Sequence, residues 1–569
     1  MNKMSDRIPV SKKTLTYADT LLTVGWASLL EECLGGTVRI KDDGDRFDVI
    51  AEHPFPPEDF EKLKISPGYK YVLDKSDKEQ PAGDTFDYEK EREKARIYRQ
   101  YQDDLRKNKN KVNNALQEQD EMAPAPPNPE LQNLTILSSM RKGFRGDKDI
   151  HQLIIKNSNL MNTIVAKRAA YYRETNNSLA KEEQEFNGHV SNAQFFNPIT
   201  GKGVIRPKPD GTTLASYPKK EVDWFEEWLK FRGMYDALLA YRSNDDFKIY
   251  VIEPQDVPAH VLKRLRHDLL KENLWGGIKL DIQAVLTLAK NLIVHSKEFD
   301  PTEGMMYMNG TPKEIISGLH QAYFKSLGTA AALMNYSFLG LPAWFKIENH
   351  ETAEAFLEII YEHIGDRSQK KMGCLNSLQE NNSGDIPLLT QYRSFLSSGE
   401  LMVFLEFLAM FATHIIQQRE RKQPVKQFST TNLGRLFVMG YNLRGIVENE
   451  GFLNTATAIR KATVNAQYRK TSGSQVWDIH YGLAQEWKRQ VKFSDRFVST
   501  LSEFVQQYNA ENAKHAEQGK ERRKNITTED LNQVIKLIVD NGSELVGMLL
   551  LAYGYATEPK EDSALSQNK

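Results

Sequence analysis

Apolar and polar residues alternate about an Asp-Gly turn in GTVRIKDDGDRFDVIAE, residues 36–52, and this predicts a β-hairpin. The four aspartates there, Asp42, Asp43, Asp45 and Asp48, lack the closing Glu of a calcium loop and read as turn residues. Residues 133–185 carry helical spacing. DFKIYVIE, residues 246–253, is β-branched and aromatic and predicts a strand, after which Pro254 leads into a helix at PAHVLKRLRHDLLKEN. Beyond Pro387 helical spacing dominates to Tyr555, predicting helices over about 399–421, 431–449, 453–470, 476–490, 493–515, 528–540 and 542–555. In WDIHYGLAQEWKRQV, Trp477, Tyr481, Ala484, Trp487 and Val491 make one apolar stripe that suits a core better than a stacking platform. Thr527, with Asp530 three residues on, reads as a capping box.

These patterns predict an α+β protein, with a mixed α/β N-terminal domain followed by an all-α C-terminal bundle. The expected divisions are an α/β segment over 1–130 with a charged helix and the Pro-rich linker MAPAPPNPE, the remainder of the mixed domain over 131–395, the bundle over 396–557, and a disordered polar tail over 558–569. No fixed-period repeat supports a solenoid.

Composition narrows the function classes. Lys and Arg total 75 against 76 Asp and Glu, so any nucleic-acid surface must be local. Two cysteines, Cys33 and Cys374, supply neither a disulfide framework nor a four-thiolate zinc site, as expected of a cytoplasmic protein. The N-terminus has no signal-peptide pattern, and the apolar run Leu401–Ile416 is shorter than the roughly 20 residues a bilayer requires, so it reads as a buried helix.

Around Gly201-Lys202-Gly203, Phe196 stands where a P-loop needs its first glycine, and Gly203 where it needs the magnesium-holding hydroxyl. His350-Glu351-Thr352-Ala353-Glu354 lacks the second histidine of a zincin helix. His267-Asp268, with His260 and Asp281, is the set an HD-type metal-dependent nuclease would use, but His260 and His267 lie seven residues apart on one predicted helix and the pair reads as a solvated helix face. No G-x-S-x-G elbow is present, and no family-like signature surrounds Cys374. The expectation is a protein that is not an enzyme and carries no cofactor or metal.

Cations cluster in two places. Residues 138–173 hold eight Lys/Arg against two Asp, including Arg141, Lys142 and Arg145 in RKGFR, a suitable turn for gripping a nucleic-acid backbone or else a solvated loop. Residues 454–524 hold thirteen Lys/Arg against seven Asp/Glu. There Lys488, Lys492 and Arg496 follow at four-residue intervals, as do Lys461, Asn465 and Arg469, predicting two cationic ridges. A third candidate is SNAQFFNPITGKGVIRPKPDGTTL, residues 191–214. It offers Asn192, Gln194 and Asn197 to base edges, Phe195 and Phe196 as wedges or stacking faces, and Lys202, Arg206 and Lys208 to phosphates. Alternatively the two phenylalanines anchor a long loop to the core.

FFNPITGKGV, DFKIYVIEP, GFLNTATAIRKATVNAQYRK and ITTEDLNQVIKLIVDNGSELVGMLLLAYGYA resemble segments of the large subunit of type I CRISPR Cascade complexes, nearest the I-B and transposon-associated branches. The resemblance implies a non-catalytic subunit at the crRNA 5′ end that reads the short PAM duplex, helps open target DNA and holds the displaced strand. Its implied partners are crRNA, double-stranded target DNA, other Cascade subunits, and a downstream nuclease-helicase or transposition proteins. Relatives also make a small subunit by internal translation of the bundle, near whose start stand Met402 and Met410. A nucleoprotein that binds RNA or DNA without PAM dependence is the further alternative.

Overall fold

The Asp-Gly turn joins two antiparallel strands, β2 (Arg39–Asp42) and β3 (Arg46–Phe55), with Asp42 opposite Phe47 and Ile40 opposite Val49. Gly44 takes φ +89°, which favours glycine, and its N–H donates to Asp42 Oδ1 at 2.9 Å. Asp42 also pairs with Lys12, and Asp48 with Arg7 and Arg46, so these carboxylates serve the turn and its flanks.

The computed structural model describes residues 5–108, 123–173, 183, 186, 195–198 and 223–558, apart from 64, 80, 82, 142, 244, 273, 309, 329, 330, 343, 345, 367, 368, 370, 474, 475 and 521. It is 58% helix and 15% strand, with sheets in the N-terminal half and helices dominating the C-terminal half, which makes it the expected α+β fold. It divides into two units, Met1–Trp275 with Glu314–Leu339, and Gly276–Lys313 with Gly340–Lys569. The helical unit therefore begins well before residue 396 and is interrupted by a return of the chain to the α/β unit.

The α/β unit opens with β1 (Ser5–Ser11) and α1 (Tyr17–Leu34), followed by β2, β3 and a small parallel pair, β4 (Tyr71–Leu73) and β5 (Thr85–Asp87). Then come the charged helix α2 (Tyr88–Asn108), α3 (Glu130–Arg141), α4 (Arg145–Lys156), α5 (Ser158–Arg173) and α6 (Trp224–Ala237). The unit ends with β6 (Leu238–Ser243), β7 (Asp246–Pro254), β8 (Asp256–Pro258), α7 (Ala259–Lys271), β9 (Ile316–Ser326) and β10 (Ala331–Gly340). Two four-stranded sheets result, ordered β1-β3-β2-β8 and β10-β9-β7-β6. The predicted strand at 246–253 is β7, whose β-branched residues sit between two neighbours and are buried along nearly its whole length.

α1 is buried almost all round, and α6 crosses it at two glycines. A methyl group on Gly25 would lie 2.1 Å from the Leu229 carbonyl oxygen, and one on Gly233 would lie 2.1 Å from that of Leu21. Only hydrogen at both positions permits this approach. Near the end of α1, burial first and the neighbouring Asp236 second push Glu31 up to about 7. The folded chain thus keeps a proton that the unfolded chain, with its ordinary value of 4.5, releases. This contribution to stability is complete below about 4.5 and is lost as pH rises through 7. Glu31→Gln is accordingly expected to raise the melting temperature at pH 8 and leave it nearly unchanged at pH 4.5, as thermal denaturation at both values would test.

The helical unit comprises α8 (Ile278–Val294), α9 (His350–Ile364), α10 (Ile386–Ser398), α11 (Leu401–Glu420), α12 (Thr430–Tyr441), α13 (Arg444–Val447), α14 (Glu450–Ala462), α15 (Val464–Thr471), α16 (Leu483–Gln490), α17 (Ser494–Glu517), α18 (Thr528–Asn541) and α19 (Ser543–Gly554). Thr527 and Asp530 make the predicted capping box at the start of α18. At 20 residues α11 is long and apolar enough to cross a bilayer, longer than its apolar run suggests, yet 56% of its most apolar window is buried within the protein. Its Phe404 and Phe407 pack on Tyr392, Phe395 and Phe428. A product begun at Met402 would keep all of α11 but Leu401 and lose Tyr392 and Phe395 of α10; one begun at Met410 would lose Phe404 and Phe407 as well.

Candidate nucleic-acid interface

Phe195 and Phe196 are both fully buried. The Tyr17 hydroxyl donates to the Phe195 carbonyl at 2.7 Å, and Phe196 meets Phe231 edge-on with ring centroids 6.0 Å apart. Neither ring offers a face to a base, which corrects the wedge and stacking expectation in favour of the anchor. Asn197 belongs to the same anchor: its amide donates to Glu227 at 3.1 Å, and Lys230 Nζ donates to its carbonyl oxygen at 2.9 Å. Burial works against the Lys230 charge, but Glu227 and Glu226 outweigh it and hold the ammonium pKa above the ordinary lysine value. The side chain of Asn197 is thus committed to a charged network with Glu227 and Lys230. Asn192, Gln194, Lys202, Arg206 and Lys208 lie outside the described residues.

The first cationic region also separates on folding. Lys148 is buried between Asp74 and Asp77 at 2.8 and 2.5 Å. Arg168 is buried between Glu183 and Asp223, and Arg173 donates to the carbonyls of Arg7 and Phe55. In RKGFR, Gly143 turns the chain with φ +102°, Phe144 is buried edge-on to Tyr88, and Arg145 is exposed at the start of α4. Arg141 closes α3, and Lys142 lies outside the described residues. Part of the local charge is thus spent internally, Lys148 and Arg168 on ion pairs and Arg173 on backbone carbonyls, because a guanidinium or ammonium is buried with its counter-charges, while Arg145, Lys156 and Lys167 are exposed.

The second region keeps most of its cations at the surface, Arg460 and Arg523 being buried, but not as two ridges. α14 ends at Ala462 and α15 begins at Val464, with Thr463 out of helical geometry between them (φ −118°, ψ −94°), so Lys461 and Arg469 sit on different helices. Likewise Lys488 lies on α16, Lys492 in the turn after it and Arg496 on α17. Lys492 and Arg496 are exposed, and Lys461, Arg469 and Lys488 are half-buried. The apolar stripe is cut as well, since only Leu483–Gln490 is helical. Gly482 weakens the helix in the middle of the pattern, and Trp477 is drawn instead between His515, stacked at 3.9 Å, and the Arg523 guanidinium, 3.7 Å from its ring.

Breaking these helices brings aromatics to the surface that spacing did not indicate. Tyr468 is 64% exposed beneath the Arg419 guanidinium, Tyr481 45% exposed beside Lys470, and Phe493 53% exposed beneath Arg496. The cation-to-ring distances are 6.0, 5.4 and 4.9 Å. Lys470 Nζ also donates to the Tyr481 hydroxyl, which donates to Glu420 at 2.8 Å, so Tyr481 is held in place near the C-terminal end of α11. Exposed rings beside cations suit a single strand, bases stacking on one while phosphates meet the other. Arg419 also donates to the Val464 carbonyl and to Gln427, and Lys470 also meets Glu420, while Arg496 is exposed.

The remaining motif residues form no metal centre. Asp268 is held by Arg264 and Lys271, Asp281 by Arg393, and His350 donates from Nδ1 to the Phe299 carbonyl with its Nε2 3.2 Å from the Glu354 carboxylate; His260 and His267 are exposed. Among the described residues no group of three or more His, Cys, Asp or Glu is placed to hold a metal ion. Burial pushes the Cys374 thiol well above its ordinary range, leaving it a core residue. No protein-family model matches the chain, and no curated protein matches it.

Proposed function

We propose that this chain is the non-catalytic large subunit of an RNA-guided CRISPR Cascade complex, acting in the cytoplasm. In this role it reads the PAM duplex, promotes unwinding of target DNA for guide pairing, holds the displaced strand, and recruits a nuclease-helicase or transposition machinery. The observation that carries the reading is the set of exposed aromatic-cation pairs in the helical unit, Tyr468 with Arg419, Tyr481 with Lys470 and Phe493 with Arg496. An α/β unit joined to a helical unit is also the organisation that the segment resemblance implies.

The division of labour follows from the chemistry. The helical unit offers stacking faces and cations that tolerate any sequence, suited to a displaced single strand. PAM reading then falls to the sequence segment around Phe195–Asn197, which themselves bond α1 and α6, with Asn192 and Gln194 as base-edge donors and acceptors and Lys202, Arg206 and Lys208 as phosphate partners. Co-expression with a cognate crRNA and the other Cascade subunits tests this directly. The chain is expected to co-purify with crRNA at one defined stoichiometry through size exclusion; recovery of the crRNA-bound assembly without it would reject the proposal.

A further inference from the structure

The helical unit contains a pocket of about 420 Å³, within the range of sites that take small molecules. Its polar lining comes from the end of α11, with Gln417, Gln418 and Arg421, from α16, with Gln485 and Lys488, and from Asn382 just before α10. Ala409, Met410 and Leu388 give it an apolar floor. The one carboxylate in the lining, Asp385, is already engaged by His414 at 3.4 Å and by the Gln379 N–H at 2.9 Å. By contrast, among the described residues neither Arg421 nor Lys488 is in an ion pair, and the amides of Gln417, Gln418 and Gln485 make no hydrogen bond. The pocket thus pairs two unspent cations with three unspent amides over an apolar surface.

We infer that this pocket holds one deoxynucleotide unit, its base on the apolar floor with its edge against the glutamine amides, and its 5′-phosphate between Arg421 and Lys488. Guanidinium and ammonium groups suit phosphate oxygens, and an amide both donates and accepts, matching the mixed edge of a base. An acidic peptide would use the cations but leave the amides and floor idle; an apolar ligand would leave the cations bare. The same unit can arrive within a single strand or as a free nucleotide. The inference rests on the nucleic-acid reading of the helical unit only for the strand-borne case.

Two variants separate the possibilities. Gln485→Trp, at an exposed position, fills the mouth, and Gln417→Ala with Gln485→Ala removes amides without changing charge. Binding of the four deoxynucleoside 5′-monophosphates is followed by equilibrium dialysis, and that of a labelled 12-nucleotide strand by anisotropy across a salt series, with the whole chain in each case. The expected result is mononucleotide binding by the wild type that weakens roughly tenfold or more in both variants, as unmade hydrogen bonds and a blocked mouth require. A matching loss for the strand, with its salt slope unchanged in the double alanine variant and lowered by Gln485→Trp, assigns the strand-borne source; an unaltered strand affinity assigns the free nucleotide. Should the wild type bind the strand but no mononucleotide, with both variants binding the strand as tightly as wild type, the pocket is overturned and the surface reading stands. Mononucleotide binding without strand binding overturns the surface reading and keeps the pocket, and binding of neither overturns both.

Discussion

Arg168→Met is expected to destabilise the chain by about 3–5 kcal/mol, the range for removing one side of a buried ion pair. Arg168 is 3% exposed, and its guanidinium makes four bonds: to both oxygens of Glu183 at 2.9 and 2.5 Å and to both oxygens of Asp223 at 2.7 and 3.0 Å. It lies 5.0 Å from the Phe225 ring, while Trp224 Nε1 donates to Glu183 at 3.2 Å. Burial opposes the guanidinium charge, yet the two carboxylates outweigh it and hold its pKa above the usual arginine value. Methionine fills part of the volume but leaves Glu183 charged and unpaired in a buried site. Arg168→Lys recovers only part of the loss, because a single ammonium cannot bridge two forks. Urea denaturation followed by tryptophan fluorescence measures the effect. Arg168→Met/Glu183→Gln should recover part of the loss, and strict additivity of the two changes would contradict the pairing.

The second large effect is on nucleic-acid binding. Replacing Lys488, Lys492 and Arg496 together by alanine is expected to weaken single-stranded DNA binding on the order of 100-fold at 0.1 M salt and to reduce the slope of log K against log salt by about 2, since each phosphate contact contributes roughly 0.7 to that slope. Folding stability should hold within about 1 kcal/mol, because none of the three is in an ion pair among the described residues and two are exposed. A lost affinity with an unchanged salt slope would show that these cations do not meet phosphates.

What could be read from sequence was local. The Asp42–Arg46 hairpin and the Thr527–Asp530 capping box depend on residues a few positions apart, so their signals are complete within a short window. β9 and β10 were not legible: β9 is paired on both edges, and its buried positions include Gly318, Gln321 and Ala322, which dilute the apolar alternation. Gln321 is tolerated there because it accepts from the Ser337 hydroxyl at 2.7 Å, a partner on the neighbouring strand. For the site, counting charges could not separate Lys148 and Arg168, buried on carboxylates distant in sequence, from Lys492 and Arg496, which stay in water. Four-residue spacing assumed unbroken helices, and the breaks at Thr463 and Gly482 also create the exposure of Tyr468 and Tyr481. An aromatic in a helical pattern reads as core until the break that exposes it is known.

The most direct measurement compares the assembled crRNA complex on two duplexes identical except for the PAM, at matched salt. Binding to the cognate duplex is expected to be roughly tenfold or more tighter, the discrimination that one or two good base-edge contacts supply. Equal affinity for the scrambled duplex would contradict it.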